Sequence, residues 1–186
     1  MEDIPKIGIT GMPNVGKTQT LVKVIEFLQD SGYKVEGMIT EPILEKEKRV
    51  GFYIMDWQTG EKEVFAHVDF DFKDKVGDYS IDLNILEKIG VPAIKKAIAD
   101  DDVDVIIIDE IGKMEMLSER FCEVVIEALD SDKPIMVTLH KKSRTPLLQD
   151  VRRRDDIRIL EVTPVNKNLL PYKLEMIMKE KLPTLF

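Results

Sequence analysis

Two stretches of this chain carry residue types that could do chemistry together: Gly11 to Thr18, GMPNVGKT, and the acidic pair Asp109 and Glu110 about ninety residues later. The first satisfies G-x-x-x-x-G-K-[ST] in full and sits between an apolar run, Lys6 to Thr10, and a helical pattern, Lys17 to Asp30. Gly11 and Gly16 permit φ values and close approaches denied to residues with a Cβ, so successive N–H groups can turn inward around a phosphate chain. Met12, Pro13, Asn14 and Val15 contribute mainly backbone to that cradle. A helix that starts inside the motif adds its unpaired amides and positive dipole end, while Lys17 reaches the β- and γ-phosphates and Thr18 offers a hydroxyl to Mg2+. Asp109, at the exit of an apolar strand, is the matching magnesium residue, binding usually through water. Glu110 follows it directly and is placed to orient or deprotonate a water for in-line attack on the γ-phosphate.

A carboxylate after the magnesium Asp favours a three-layer α/β P-loop NTPase of the RecA/ASCE type, in which another strand separates the loop strand from the Asp strand. The expected order of the five parallel strands is 5-1-4-3-2, with an added antiparallel hairpin. In that order Pro134 to Leu139 lies between the two motifs, and its exit faces the γ-phosphate. His140 is then a candidate phosphate or water contact. Arg144 is a candidate charge-stabilising arginine, with Lys141 and Lys142 nearby. Arg152, Arg153 and Arg154 follow a helix expected to return the chain to the opposite edge, where they read as a helix C-terminus favouring cations. Thr163 to Asn166, after the last strand, forms a base-side wall next to the phosphate loop, which makes Asn166 a nucleotide-binding candidate.

The elements that must hold these residues follow the expected α/β rhythm. Lys6 to Thr10 is a first strand, and the next helix, with Leu21, Val22, Ile25 and Leu28 on one face, ends at Ser31 and Gly32. Val35 to Thr40 is a second strand, whose exit at Thr40 and Glu41 would share the ligand edge, followed by a charged loop from Glu45 to Arg49. Phe52 to Trp57 and Lys62 to His67 flank a glycine-bearing turn and read as a hairpin. The acids between Asp69 and Asp74 read as a solvated loop. Val76 to Leu83 holds a short strand or ordered loop. Leu86 and Ile89 belong to a short helix that Gly90 interrupts, and Pro92 starts another. Val103 to Asp109, VDVIIID, is a parallel strand covered on both faces. Ser118 caps the helix carrying Phe121, Val124, Val125, Ala128 and Leu129. Thr145 and Pro146 start a short helix, Ile157 to Val162 forms a last strand, and a helix from about Asn166 to Lys181 closes the chain.

With 186 residues and 44% apolar content the chain suits one domain, 1–186. A formal net charge of −8 argues against a broad nucleic-acid footprint or an anionic-membrane surface. The longest apolar runs are strand length, so neither export nor a membrane span is indicated, and the single cysteine, Cys122, reads as a packing residue. A cytoplasmic monomer is the expectation.

GMPNVGKT, the segment KRVGF at Lys48 to Phe52 and above all DEIGKMEM at Asp109 to Met116 together resemble the thermophilic nucleoside-triphosphatase family, which includes the cancer-related nucleoside-triphosphatase. Thr40 and Glu41 and the stretch VGDYSIDL match further landmarks in the same order, so the resemblance spans nearly the whole chain. It implies a Mg-dependent phosphatase acting slowly on ATP, GTP, CTP and UTP, with nucleotide held by Gly11 to Thr18 and by Asp109, Glu110, Ile111 and Gly112. The family's Asn-Arg-Asp after the last strand is replaced here by Asn166, Lys167 and Asn168, which leaves base preference open. Two rivals share the site. A guanine-nucleotide switch is suggested by Asp109-Glu110-Ile111-Gly112 and Asn166-Lys167, but Leu169 stands where an acid would read guanine. A small nucleoside or polynucleotide kinase would use the same loop and Glu110 on an acceptor hydroxyl.

Overall fold

The computed structural model describes residues 3–183 and Leu185. The chain begins with β1 (Lys6–Gly11) and α1 (Lys17–Asp30), followed by β2 (Val35–Glu45), β3 (Lys48–Asp56), β4 (Lys62–His67), β5 (Asp74–Val76) and β6 (Tyr79–Ile81). Next come α2 (Leu83–Ile85), a π-helical turn over Leu86–Gly90 and α3 (Val91–Ala99), then β7 (Val105–Ile111), a 3-10 turn at Glu115–Leu117, α4 (Glu119–Asp130), β8 (Ile135–His140), α5 (Pro146–Arg153), β9 (Arg158–Glu161) and α6 (Leu170–Lys181).

Among the described residues, nine strands join one sheet in the order β5-β6-β4-β3-β2-β7-β8-β1-β9. The five parallel strands thus follow 5-1-4-3-2 in the counting used above, with β8 between the strands carrying the two motifs. Alternation along the buried strands divides the core between the two faces. Ile106, Ile108, Ile135, Val137 and Leu139 pack with α3, α4 and α5, whereas Ile7, Ile9, Val105, Ile107 and Met136 pack with α1 and α6. Burying each of these side chains stabilises the fold by about 1.5–3 kcal/mol, and the same alternation settles the site: Asp109 shares the face of Val105 and Ile107, and Thr138 that of Met136. A slip of one residue would turn both away from α1.

The antiparallel part is larger than the expected hairpin. β2 does not end at Thr40 but continues to Glu45, folding onto β3 through a tight turn in which Lys46 and Glu47 have φ of 49° and 66°. Glu41 pairs with Lys62 of β4 at 3.3 Å, so Thr40 and Glu41 form no strand exit. Pro42 is tolerated because β2 pairs with β7 only as far as Met38 and Ile108, leaving a single neighbour beyond. Gly90 does not interrupt a helix either. The π turn carries the helix on to Pro92, and a Cβ at Gly90 would come within 2.7 Å of Ile54 Cδ1, so the glycine lets the helix lie close on β3. The last helix starts at Leu170, because Thr163 to Leu169 are held as a loop.

Candidate active site

β1 ends at Gly11 and α1 begins at Lys17, leaving Met12, Pro13 and Asn14 exposed in the intervening loop. Gly16, with φ 111°, and Asn14, with φ 65°, supply the left-handed residues that curl this segment. The first turn of α1 has no side-chain cap and no acidic residue, so its amides and dipole are offered to an anion.

Lys17 connects the two motifs. Its Nζ donates to Gly11 O at 3.3 Å and lies 3.0 Å from Glu110 Oε2 of β7. Its side chain is only 10% exposed and that of Glu110 25%, so the pair is largely shielded from solvent. The Asp109 side chain is fully buried: Oδ1 accepts from Thr138 Oγ1 at 2.6 Å, while Oδ2 has no hydrogen-bond partner among the described residues. Burial pushes the Asp109 carboxyl up to about 7, reinforced by the negative charge of Glu110 and opposed by the hydroxyls of Thr138 and Thr18 and by Lys17. A buried carboxylate oxygen without a hydrogen-bond partner among the described residues, with the Thr18 hydroxyl near the same carboxylate, fits a hard dication that takes oxygen ligands.

Glu115 is a member of this cluster that sequence reasoning missed. It is buried, and burial pushes its carboxyl well above the usual range, with the charge of Glu110 adding to the effect. Gly112 makes room for both acids: a Cβ there would stand 2.7 Å from Glu110 Oε1 and 3.0 Å from Glu115 Oε2. Ile111 is buried at the end of β7, whereas Lys113 is exposed. Thr138, in the strand exit expected to face the γ-phosphate, is the hydrogen-bond donor to Asp109; a threonine inside the apolar strand IMVTLH is its local signal.

Neighbouring strands bring His140 to the same edge. It is the register partner of Gly11, and its Nδ1 accepts from Ser143 N at 3.0 Å. Burial holds His140 below its ordinary value; Glu110 raises it, and Lys17, Lys113 and Arg152 lower it. Arg144, by contrast, is exposed in the loop before α5. The arginine that returns to this edge is Arg152, whose guanidinium is bound to the carbonyls of His140, Lys141 and Ser143. This corrects the expectation for Arg152; Arg154, paired with Asp130 and Asp156, lies at the opposite edge as expected. Asn166 uses its amide inside its own loop, accepting from Thr163 N at 2.8 Å and donating to Glu161 O at 2.8 Å. It therefore shapes the wall next to the phosphate loop.

Comparison with known proteins agrees with this arrangement. A model of the NTPase family matches residues 6–175. The nucleoside-triphosphatase THEP1 of Methanocaldococcus jannaschii is 49% identical over 136 residues, covering 73% of this chain and 78% of that protein. The crystal structure of THEP1 from the hyperthermophile Aquifex aeolicus superposes with a TM-score of 0.81 at 31% identity, covering 94% of this chain and 99% of the other. The solution structure of a human cancer-related nucleoside triphosphatase gives 0.79 at 30% identity, covering 94% and 98%. With its P-loop, its Asp–Glu strand exit and this similarity along nearly its whole length, the chain belongs to the NTPase family.

Proposed function

We propose that this protein is a Mg2+-dependent nucleoside-triphosphatase that removes the terminal phosphate from ATP, GTP, CTP and UTP with little regard for the base and with slow turnover, acting as a single-domain cytoplasmic monomer. The observation that carries the reading is the 3.0 Å contact between Lys17 Nζ and Glu110 Oε2, which supports a role for that carboxylate beside the γ-phosphate. In the reaction a water oxygen bonds to the γ-phosphorus, the bond from that phosphorus to the β–γ bridging oxygen breaks, and Glu110 orients the water and accepts its proton. Inorganic phosphate and a nucleoside diphosphate leave. Lys17 neutralises charge on the β- and γ-oxygens, and the amides of the loop and the first turn of α1 hold the rest of the chain of phosphates. Thr18 and Asp109 would hold the metal, which supplies positive charge to the phosphoryl oxygens.

Base tolerance fits the corner after β9. Asn166 is committed to its own loop, and Leu169, at the position where a guanine reader would carry an acid, is 73% exposed, as is nearly all of Val165. Apolar surface gives van der Waals contact to any base and discriminates weakly between them.

The test is phosphate release with Mg2+ across the four nucleotides, for the native chain, Lys17→Ala and Glu110→Gln. The native chain hydrolyses all four at rates within about tenfold of one another. Lys17→Ala weakens nucleotide binding, and Glu110→Gln retains binding while kcat falls by about 10²–10⁴-fold. Unchanged turnover in Glu110→Gln would remove the assigned base, and acceptor-dependent loss of ATP without free phosphate would replace hydrolysis by phosphotransfer.

A further inference from the structure

β8 ends at His140, and the next regular element, α5, starts at Pro146, so the carbonyls at and just after the end of the strand run out of ladder partners. Arg152, in the last turn of α5, supplies donors to three of them: Nη1 to Ser143 O at 2.6 Å, and Nη2 to Lys141 O at 2.9 Å and to His140 O. A planar guanidinium with five N–H groups in a fixed fork can tie several carbonyls together in one plane; an ammonium acts as a single point charge. Arg152 is thus engaged by backbone, and its function is separate from that of an arginine touching phosphate.

The consequence falls on His140. The clamped loop brings Ser143 N–H to His140 Nδ1 at 3.0 Å. A backbone amide only donates, so Nδ1 must be the bare, accepting nitrogen and the neutral ring carries its proton on Nε2. The ring sits on the register partner of Gly11, in the field of Glu110 and Lys17, where burial and the cations Lys17, Lys113 and Arg152 keep it neutral against the pull of Glu110. An Nε2–H donor at that place can bond an oxygen of the transferring phosphoryl group as charge builds on it.

We propose that Arg152 is a positioning residue, clamping the exit of β8 so that His140 presents Nε2–H to the γ-phosphoryl group. The proposal rests on the hydrolytic reading for its phosphoryl partner, but the clamp and the tautomer are testable without turnover. The test is side-chain 15N NMR of the two histidines, His67 and His140, in the native chain and in Arg152→Met, Arg152→Lys and His140→Gln, with kcat and KM measured beside it. At a pH where the ring is neutral, native His140 shows the Nε2–H tautomer. In Arg152→Met the two tautomers mix and kcat falls by about tenfold while KM stays within about twofold. Arg152→Lys restores little of either, and Arg152→Met adds almost nothing in the His140→Gln background. An Nδ1–H tautomer in the native chain overturns the proposal, whatever the variants do. So does an unchanged tautomer in a folded Arg152→Met, or a fully additive double variant. A native chain that shows the Nε2–H tautomer but releases no phosphate from any nucleotide removes the hydrolytic reading and leaves the clamp in place.

Discussion

At the carboxyl edge of the parallel strands, Asp109 and Glu115 are buried with their carboxyls pushed upward, and one oxygen of Asp109 has no hydrogen-bond partner among the described residues. At the amino edge the same side chain meets the opposite treatment. Asp156 accepts from Arg154 at 2.9 Å and from the buried Lys6 at 3.1 Å, and the Arg154 hydrogen bond, with Lys6, holds its carboxyl down to about 2. Arg154 also reaches Asp130 at 2.8 Å, and Lys6 donates to Leu129 O. One edge completes its charges within the protein. The other pairs Glu110 with Lys17, sets Asp109 and Glu115 in the field of Glu110 and leaves polar capacity over, the arrangement a site needs if metal and triphosphate are to supply what is missing.

The sharpest way to break the contrast is Asp109→Asn. Mg2+-dependent phosphate release should fall by about 10²–10³-fold, while the denaturation midpoint holds or rises, because a buried like charge is lost and the Thr138 hydrogen bond keeps an oxygen acceptor. A fall in the midpoint would mean that Asp109 serves the fold. A smaller effect comes from pH. The raised Asp109 carboxyl means that Mg2+ competes with a proton, so apparent Mg2+ affinity, measured by titration at pH 6 and pH 8, should weaken by up to about tenfold per unit below about 7. For folding the signs are opposite at the two edges. The contribution of Asp109 is fully present below 3.8 and is lost as pH rises to about 7, whereas that of Asp156 is present above 3.8 and is lost as pH falls to about 2. Acid denaturation should therefore be shifted in an Asp156 variant and little changed in Asp109→Asn. The smallest effect is Asp156→Asn itself. Asp156 is partly exposed, so solvent screening limits the loss to about 1 kcal/mol at neutral pH. Phosphate release per folded molecule should be unchanged; a drop would tie the amino edge to the site.

Much of this was legible in the chain. The phosphate loop is a local device, since its glycines, the helix start and Lys17 lie within eight consecutive positions and their backbone preferences act over that range. The β-branched run VDVIIID put Asp109 and Glu110 at the end of a buried strand, and the acid after the Asp anticipated the strand order. The readings that missed concern contacts between distant positions. Arg152 looked like an ordinary helix-end cation because nothing within α5 shows that its guanidinium returns to residues 140–143. Glu115 stood in the sequence only as part of DEIGKMEM with no role attached, as its burial depends on how the 3-10 turn packs against β7. Thr40-Glu41-Pro42 resembled a strand exit because charge and proline break most strands; β3, joined to β2 by a two-residue turn, supplies the neighbour that keeps it extended.

By itself the sequence determined the parts: a P-loop motif as candidate phosphate cradle, a candidate magnesium Asp, a candidate water-handling Glu, and an α/β scaffold with apolar strands to carry them. Those assignments depend on short-range backbone preference and on the period-two alternation, both of which are written into adjacent residues. The tertiary structure alone decided which groups share the site's charge. Lys17 meets Glu110 across 93 positions of chain, Thr138 binds Asp109 from the intervening strand, and Arg152 closes on the exit of β8. Burial and proximity set those hydrogen bonds and proton affinities, and both are properties of packing, which no single stretch of the chain contains.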